Sequence, residues 1–254
     1  MLPSLFDPDL KKQWAKVRLD ELATEAVIIQ ELNKPKFSSE DDLENGRYVF
    51  RFEEMHDMRA FQAALRAGDF IANLRSALDH LAWQLALLGG AMPTIEICFP
   101  ICEVNNSASR RFFNKCTLGI PTAAVAVIES FQPYHLGSDY RSTHLWRLNK
   151  LWNIDKHRHL TPHSILPEWQ FKTEGVSAIS TRQLDNGVEF SVPIADKSKI
   201  AFNPSCSVEF TIQDRSEGID IRIADLIEMH KFVAETVIPA FASFFPNPEM
   251  AGQP

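Results

Sequence analysis

One helical stretch constrains this chain more than any other feature. From about Met58 to Leu88, the residues Phe70, Leu74, Ala77, Leu78, Leu81, Leu85 and Leu88 recur at three- and four-residue steps. At about 100° per residue they form one apolar stripe, which has to be buried against other elements. The Gly89-Gly90 pair that follows is a helix stop, because glycine takes up the left-handed C-cap conformation without steric cost. Opposite the stripe, Asp69, Asn73, Ser76 and His80 share a narrow polar strip, with Trp83 just beyond. Such a strip is ordinarily a solvated face. Its small side chains also fit a closely apposed helix or a subunit interface, which would bury His80 beside groups able to hold it.

The rest of the chain reads as shorter pieces around that helix. A first helix is expected over 9–33, with Pro35 just past its end. The polar, acidic residues 37–45 read as a loop, and 46–53 as a strand in which Tyr48, Phe50 and Phe52 alternate with Arg47, Val49 and Arg51. Residues 91–103 read as extended chain, 107–115 and 121–131 as helices, 132–140 as a loop and 142–157 as a helix. From 169 to 212 the pattern has period two, and Asp185-Asn186-Gly187 marks a hairpin before the strand 188–192. A last amphipathic helix over 224–245 should kink near Pro239. The expected fold is α+β: a predominantly helical bundle with a small antiparallel sheet, forming one domain over 1–254. Its helical core would span about 9–160, with a β-rich insertion at about 169–213.

Composition narrows the function classes. A formal charge of −7 over 254 residues argues against broad, non-specific attachment to nucleic acid or an anionic membrane. A local basic patch remains compatible with RNA or another anionic ligand. The N-terminal MLPSLFDPDLKKQW lacks the basic and apolar regions of a signal peptide, and no apolar run approaches the ~20 residues that span a bilayer. Cys98, Cys102, Cys116 and Cys206 are too irregularly spaced for a disulfide framework, so reduced thiols in the cytoplasm are the expectation. No glycine-rich phosphate loop, GxSxG elbow or HExxH pair is present, and no cofactor is expected.

A second candidate region is 145–163, LWRLNKLWNIDKHRHLTPH. Leu148, Leu151 and Trp152 define a core face that also carries Asp155 and His159. A buried carboxylate needs a cation or several donors. Arg75, His80 and His159 are the candidates for Asp155. Arg141, Arg147, Lys150, Lys156 and Arg158 form a local positive patch that could receive a phosphate, or simply face solvent. His157, His159 and His163 raise the question of a metal. On a helix the first two point about 200° apart, and no CxxC pair accompanies them, so no metal is expected.

Two segments resemble a group of uncharacterised bacterial proteins that combine an NLRSALDHL helix, here at 73–81, with a NIDKHR segment, here at 153–158. That resemblance carries no activity with it. Arg75-x4-His80 resembles the Arg-x4-6-His signature of the HEPN superfamily, helical domains of which many are metal-independent RNA endonucleases of toxin and defence systems. The resemblance implies that Arg75 stabilises the charged phosphorane and that His80 acts as general acid or base. The site would form between two protomers of a homodimer, with Lys156 or Arg158 assisting. Ser76 stands where the family tends to have Asn, Asp or His after the arginine. Two readings follow. The chain is a HEPN-like ribonuclease, or it is a non-catalytic binding or scaffold protein in which Asp155 and His80 are structural. In the second reading Arg75 and Asp79, four residues apart, form a helical ion pair.

Overall fold

The computed structural model describes residues 3–32, 36–53, 58–157, 160–165, 171–172, 175–185, 187–202, 209–214 and 218–245. Helix α2, Met58–Leu88, is its axis. It is apolar around most of its circumference: Phe70, Ile71, Leu74, Ala77, Leu78, Leu81, Ala82 and Leu85 are all fully buried. A helix of that kind needs cover on several sides.

Helix α1, Phe6–Leu32, covers one side. It inserts Ala15, Leu19, Leu22, Ala26 and Ile29, all buried, at three- and four-residue steps. The two helices run antiparallel, with polar ties along their length. Ser4 N–H donates to Gln84 Oε1 at 3.0 Å and Gln84 Nε2 to Asp7 Oδ2 at 3.1 Å, while Arg66 Nη1 meets Glu25 Oε2 at 3.1 Å. The outer face of α1 carries a second apolar row, with Phe6, Leu10, Trp14 and Val17 exposed.

Helix α5, His144–His157, lies antiparallel to α2 on another side and buries Leu145, Trp146, Leu148, Leu151 and Ile154. Between α2 and α5 in sequence come α3, Ser107–Cys116, and α4, Thr122–Ser130. Asn106 caps α3 by accepting from Ser109 N–H at 2.9 Å. At the C-terminus, α6, Ile223–Lys231, continues through wider π-type turns at Phe232–Val237 into 3-10 turns at Pro239–Phe244. Ile238 N–H donates to Val233 O, five residues back, and Pro239 has no N–H to restore the regular ladder. The break expected near Pro239 is therefore a change of helical pitch.

Three antiparallel sheets accompany the helices. Strands β1, Lys36–Asp42, and β2, Arg47–Glu53, join β5, Ser180–Leu184, and β6, Gly187–Pro193, in the order β1-β2-β6-β5. Their small core is Phe50, Phe52 and Val192, with Phe190 stacked on Phe50 at 5.5 Å between ring centroids. The hairpin before β6 is as expected, since Leu184 pairs with Gly187. Strand β3, Thr161–Ile165, pairs with β8, Glu209–Asp214, which pairs with β9, Ile219–Arg222. Ile212, Ile219 and Ile221 press this sheet into the helical core. The two-residue strands β4, Phe171–Lys172, and β7, Ala201–Phe202, form the third pair.

The architecture is α+β, helical with small antiparallel sheets, and it differs from the sequence reading at several places; residues 132–140, expected as a loop, fall largely in 3-10 turns at Pro133–Ser142. The segment expected as a loop over 37–45 contains the edge strand β1, whose exposed residues gave no alternating signal. It is held by charge: Arg51 bridges Glu40 and Glu189, each at 2.7 Å, and Lys197 reaches Asp41 at 2.7 Å. Strands β3, Thr161–Ile165, and β9, Ile219–Arg222, lie where the sequence reading assigned no element. Among the described residues no helix is long and apolar enough to cross a membrane.

The end of α2 is a backbone-to-backbone contact. Ala91 N–H returns to Ala86 O at 3.2 Å, and Gly90 takes φ 76°, which closes the helix. A Cβ on Gly89 would run into the carbonyl oxygen of Gly119. Gly89→Ala should therefore lower stability by roughly 2–3 kcal/mol through overpacking, although alanine favours helices by about 1 kcal/mol. Urea denaturation midpoints check this. A variant as stable as the parent would mean that the two glycines do not pack.

Candidate functional site

The side of α2 that carries Arg75 faces an extended segment, residues 97–102, that belongs to no sheet. Ile97, Phe99, Ile101 and Cys102 are buried there, so their backbone groups cannot rely on water. Side chains take the place of a neighbouring strand. Phe99 N–H donates to Asp79 Oδ1 at 3.0 Å, and the Phe99 carbonyl accepts from Arg75 Nη2 at 2.8 Å. Gln132, 2% exposed, accepts from Cys102 N–H at 2.9 Å and donates to the Pro100 carbonyl at 2.9 Å.

Arg75 and Asp79 lie one turn apart, and Arg75 Nη1 is 2.7 Å from Asp79 Oδ1. The Arg75 side chain is buried, with its Cζ 5.4 Å from the centre of the Trp152 ring on α5. Burial pushes the Asp79 carboxyl above its ordinary value, opposed by the Arg75 charge and the Phe99 N–H. The Arg75 charge is thus the largest influence favouring the carboxyl's ionised form.

The other candidate residues lie elsewhere on α2 and α5. His80 is half-buried and, five residues from Arg75, points about 140° away around the helix. Its ring makes no hydrogen bond to a described residue. Asn73 Nδ2 donates to the Asp69 carbonyl at 2.7 Å, and Lys11 Nζ reaches Asn73 Oδ1 at 3.4 Å. Asp69 itself is exposed, with Arg18 Nε 3.9 Å away. The strip is therefore flanked by α1 and remains partly open. Arg75 and His80 do not converge within one chain.

Asp155 has three candidate partners, of which His159 lies outside the described residues. Its carboxylate fits against Gly68, where an added Cβ would stand 2.6 Å from Oδ1. From Gly68 to His80 is twelve residues of helix, about 18 Å. The guanidinium of Arg75, meanwhile, is taken up by Asp79, Phe99 and Trp152. Gly68 is what lets α5 come this close to α2.

On the outer side of α5, Lys156 and His157 are exposed, and Lys156 Nζ stands 4.0 Å above the Trp152 ring. Arg141 lies 5.7 Å from the Tyr140 ring and 5.8 Å from the Trp146 ring, and Arg147 pairs with Asp225 at 3.2 Å. Arg158 and His159 lie outside the described residues, and for His163 only the backbone of β3 is described. Among the described residues no group of three or more His, Cys, Asp or Glu side chains could hold a metal ion.

Two further groups belong to this region. No sequence feature marks Gln132, an isolated glutamine after a helix. Nor does the spacing of Cys98 and Cys116 announce that their Sγ atoms are 3.2 Å apart. Comparison with protein-family models, with characterised proteins and with solved structures finds no match for this chain.

Removing Arg75 would leave the half-buried Asp79 without its cation and the Phe99 carbonyl without a donor. Arg75→Met should cost about 3–5 kcal/mol at pH 7. Arg75→Lys should recover little of this, because an ammonium cannot fork between the carboxylate and the carbonyl. The folded pKa of Asp79 is raised, so its protonated form favours the folded state. The Met variant's deficit should therefore shrink as pH falls from 7 toward 4. Urea melts across that range test both points; a deficit below about 1 kcal/mol, or one that grows in acid, would contradict the clamp.

Proposed function

We propose that this protein is a non-catalytic binding protein that holds a phosphate-bearing ligand, single-stranded RNA in the first instance, on the outer face of α5. The observation that carries this reading is the state of Arg75. A phosphoryl-transfer site needs a guanidinium free to reach phosphate oxygens in the transition state. Here Arg75 is 4% exposed, with Nη2 donating to the Phe99 carbonyl, Nη1 2.7 Å from Asp79 Oδ1 and Cζ beside the Trp152 ring. His80 points to a different side of the helix, so within one protomer Arg75 belongs to a structural clamp and His80 to a half-open polar strip.

The outer face of α5 has the chemistry for the ligand. Lys156 is exposed and forms no ion pair with a described residue. It stands over an indole instead, which fixes the ammonium while leaving its N–H donors for an incoming oxygen. His157 is exposed beside it, and Arg141 is held over two aromatic rings. The chain as a whole carries −7, so binding would be confined to this face and would weaken steeply with salt.

Fluorescence anisotropy with a short single-stranded RNA, together with a cleavage assay in EDTA, tests the proposal. The RNA should bind and stay intact, and His80→Ala should change neither outcome. Lys156→Glu should weaken binding severalfold and reduce the salt slope by about one. Binding that ignores Lys156→Glu would remove the proposed site. EDTA-resistant cleavage abolished by His80→Ala would establish the ribonuclease reading in its place.

A further inference from the structure

Cys98 and Cys116 bring two thiols into contact at the edge of the buried segment. Their Sγ atoms lie 3.2 Å apart, so a disulfide of about 2.05 Å requires them to approach by roughly 1.2 Å. Both are held by surroundings that do not depend on the contact. Cys98 precedes Phe99, whose N–H and carbonyl are fixed by Asp79 and Arg75. Cys116 is the last residue of α3, and the turn after it is fastened by Thr117, whose N–H and Oγ1 both donate to the Phe113 carbonyl.

The two sulfurs are not equivalent. Cys98 is partly exposed and Cys116 is buried. The hydrogen-bonded contact with Cys116 and the nearby Arg75 guanidinium lower the Cys98 thiol from its ordinary value, against burial and the Asp79 charge. The hydrogen bond to Cys98 and burial push Cys116 up. A partly exposed thiol in contact with a buried one is the arrangement of a reactive and a resolving cysteine. Cys102 does not compete, because burial raises its thiol to about 11 and its Sγ is turned to the Ser109 carbonyl.

We propose that Cys98 and Cys116 form a reversible thiol–disulfide pair oxidised by hydrogen peroxide. The Cys98 thiolate attacks one peroxide oxygen, the O–O bond breaks, and the departing hydroxide takes up a proton as water. Cys98 is left as a sulfenic acid. The Cys116 sulfur then attacks the Cys98 sulfur, the S–O bond breaks, and the hydroxyl leaves as water with the Cys116 proton. Two thiols and one peroxide give one disulfide and two waters, with two electrons passing from sulfur to oxygen. The bond ties the clamped segment to the end of α3, which restricts the unfolded chain and should raise the Tm by roughly 5–10 °C.

The experiment treats the full chain with a small excess of hydrogen peroxide, blocks remaining thiols with N-ethylmaleimide, and maps the peptides by mass spectrometry. The expected result is a Cys98–Cys116 cross-linked peptide, a raised Tm, and return of both thiols on adding dithiothreitol to the folded protein. In Cys116→Ser, peroxide should leave a sulfenic acid at Cys98 that dimedone captures; in Cys98→Ser, Cys116 should capture none. The proposal is overturned if both thiols of the peroxide-treated parent are still alkylated, if the bond joins other cysteines, or if dithiothreitol cannot reduce it without unfolding. Peptide mapping of the parent chain decides the matter even if a serine variant does not fold.

Discussion

A buried length of extended chain that pairs with no strand is the constraint on which the helical half of this molecule depends. Residues 97–102 enter the core carrying peptide groups that would each cost a few kcal/mol if left unpaired. The fold answers with three buried or half-buried side chains, Arg75, Asp79 and Gln132, which supply donors and acceptors to Phe99, Pro100 and Cys102. Each is polar at a site where an apolar residue would pack but would strand the backbone. Because Arg75 and Asp79 sit on the central helix and Gln132 follows α4, the same bonds fix how α2, α4 and the segment lie together.

This arrangement changes how the Arg75-x4-His80 spacing is read. Side chains five apart on a helix point in different directions, so a shared spacing can join residues with unrelated tasks. Arg75 meets an ion-pair partner, a carbonyl and an aromatic ring in the interior, while His80 points about 140° away around the helix. The basic face of α5 is tied to the same interior through Trp152, whose ring has Lys156 at 4.0 Å and Arg75 at 5.4 Å. Interior clamp and outer cation thus share one indole, and the orientation of that ring bears on both.

The sequence was most legible where one periodicity dominated. The stripe on α2 and its glycine stop were read to the residue, and the 185–187 turn was placed because its chemistry is local. Strand β1 was hidden because charge pairs rather than a buried face hold it, and such pairs are invisible until the partner strand is known. The ion pair of Arg75 with Asp79 was readable from its four-residue spacing. The close fit of Asp155 against Gly68 was not, since the space made by Gly68 is a property of two helices packed together. Gln132 and the Cys98–Cys116 contact join residues 18 to 32 apart, at spacings that follow no helix or strand period.

The most direct test of the account is amide hydrogen exchange at Phe99 and Cys102, read residue by residue by NMR. If Asp79 and Gln132 hold these two N–H groups inside the core, both should exchange only through global unfolding, as slowly as the amides in the middle of α2. Exchange at the rate of the exposed residues just beyond, such as Val104 and Asn105, would contradict the clamp and with it the structural role assigned to Arg75.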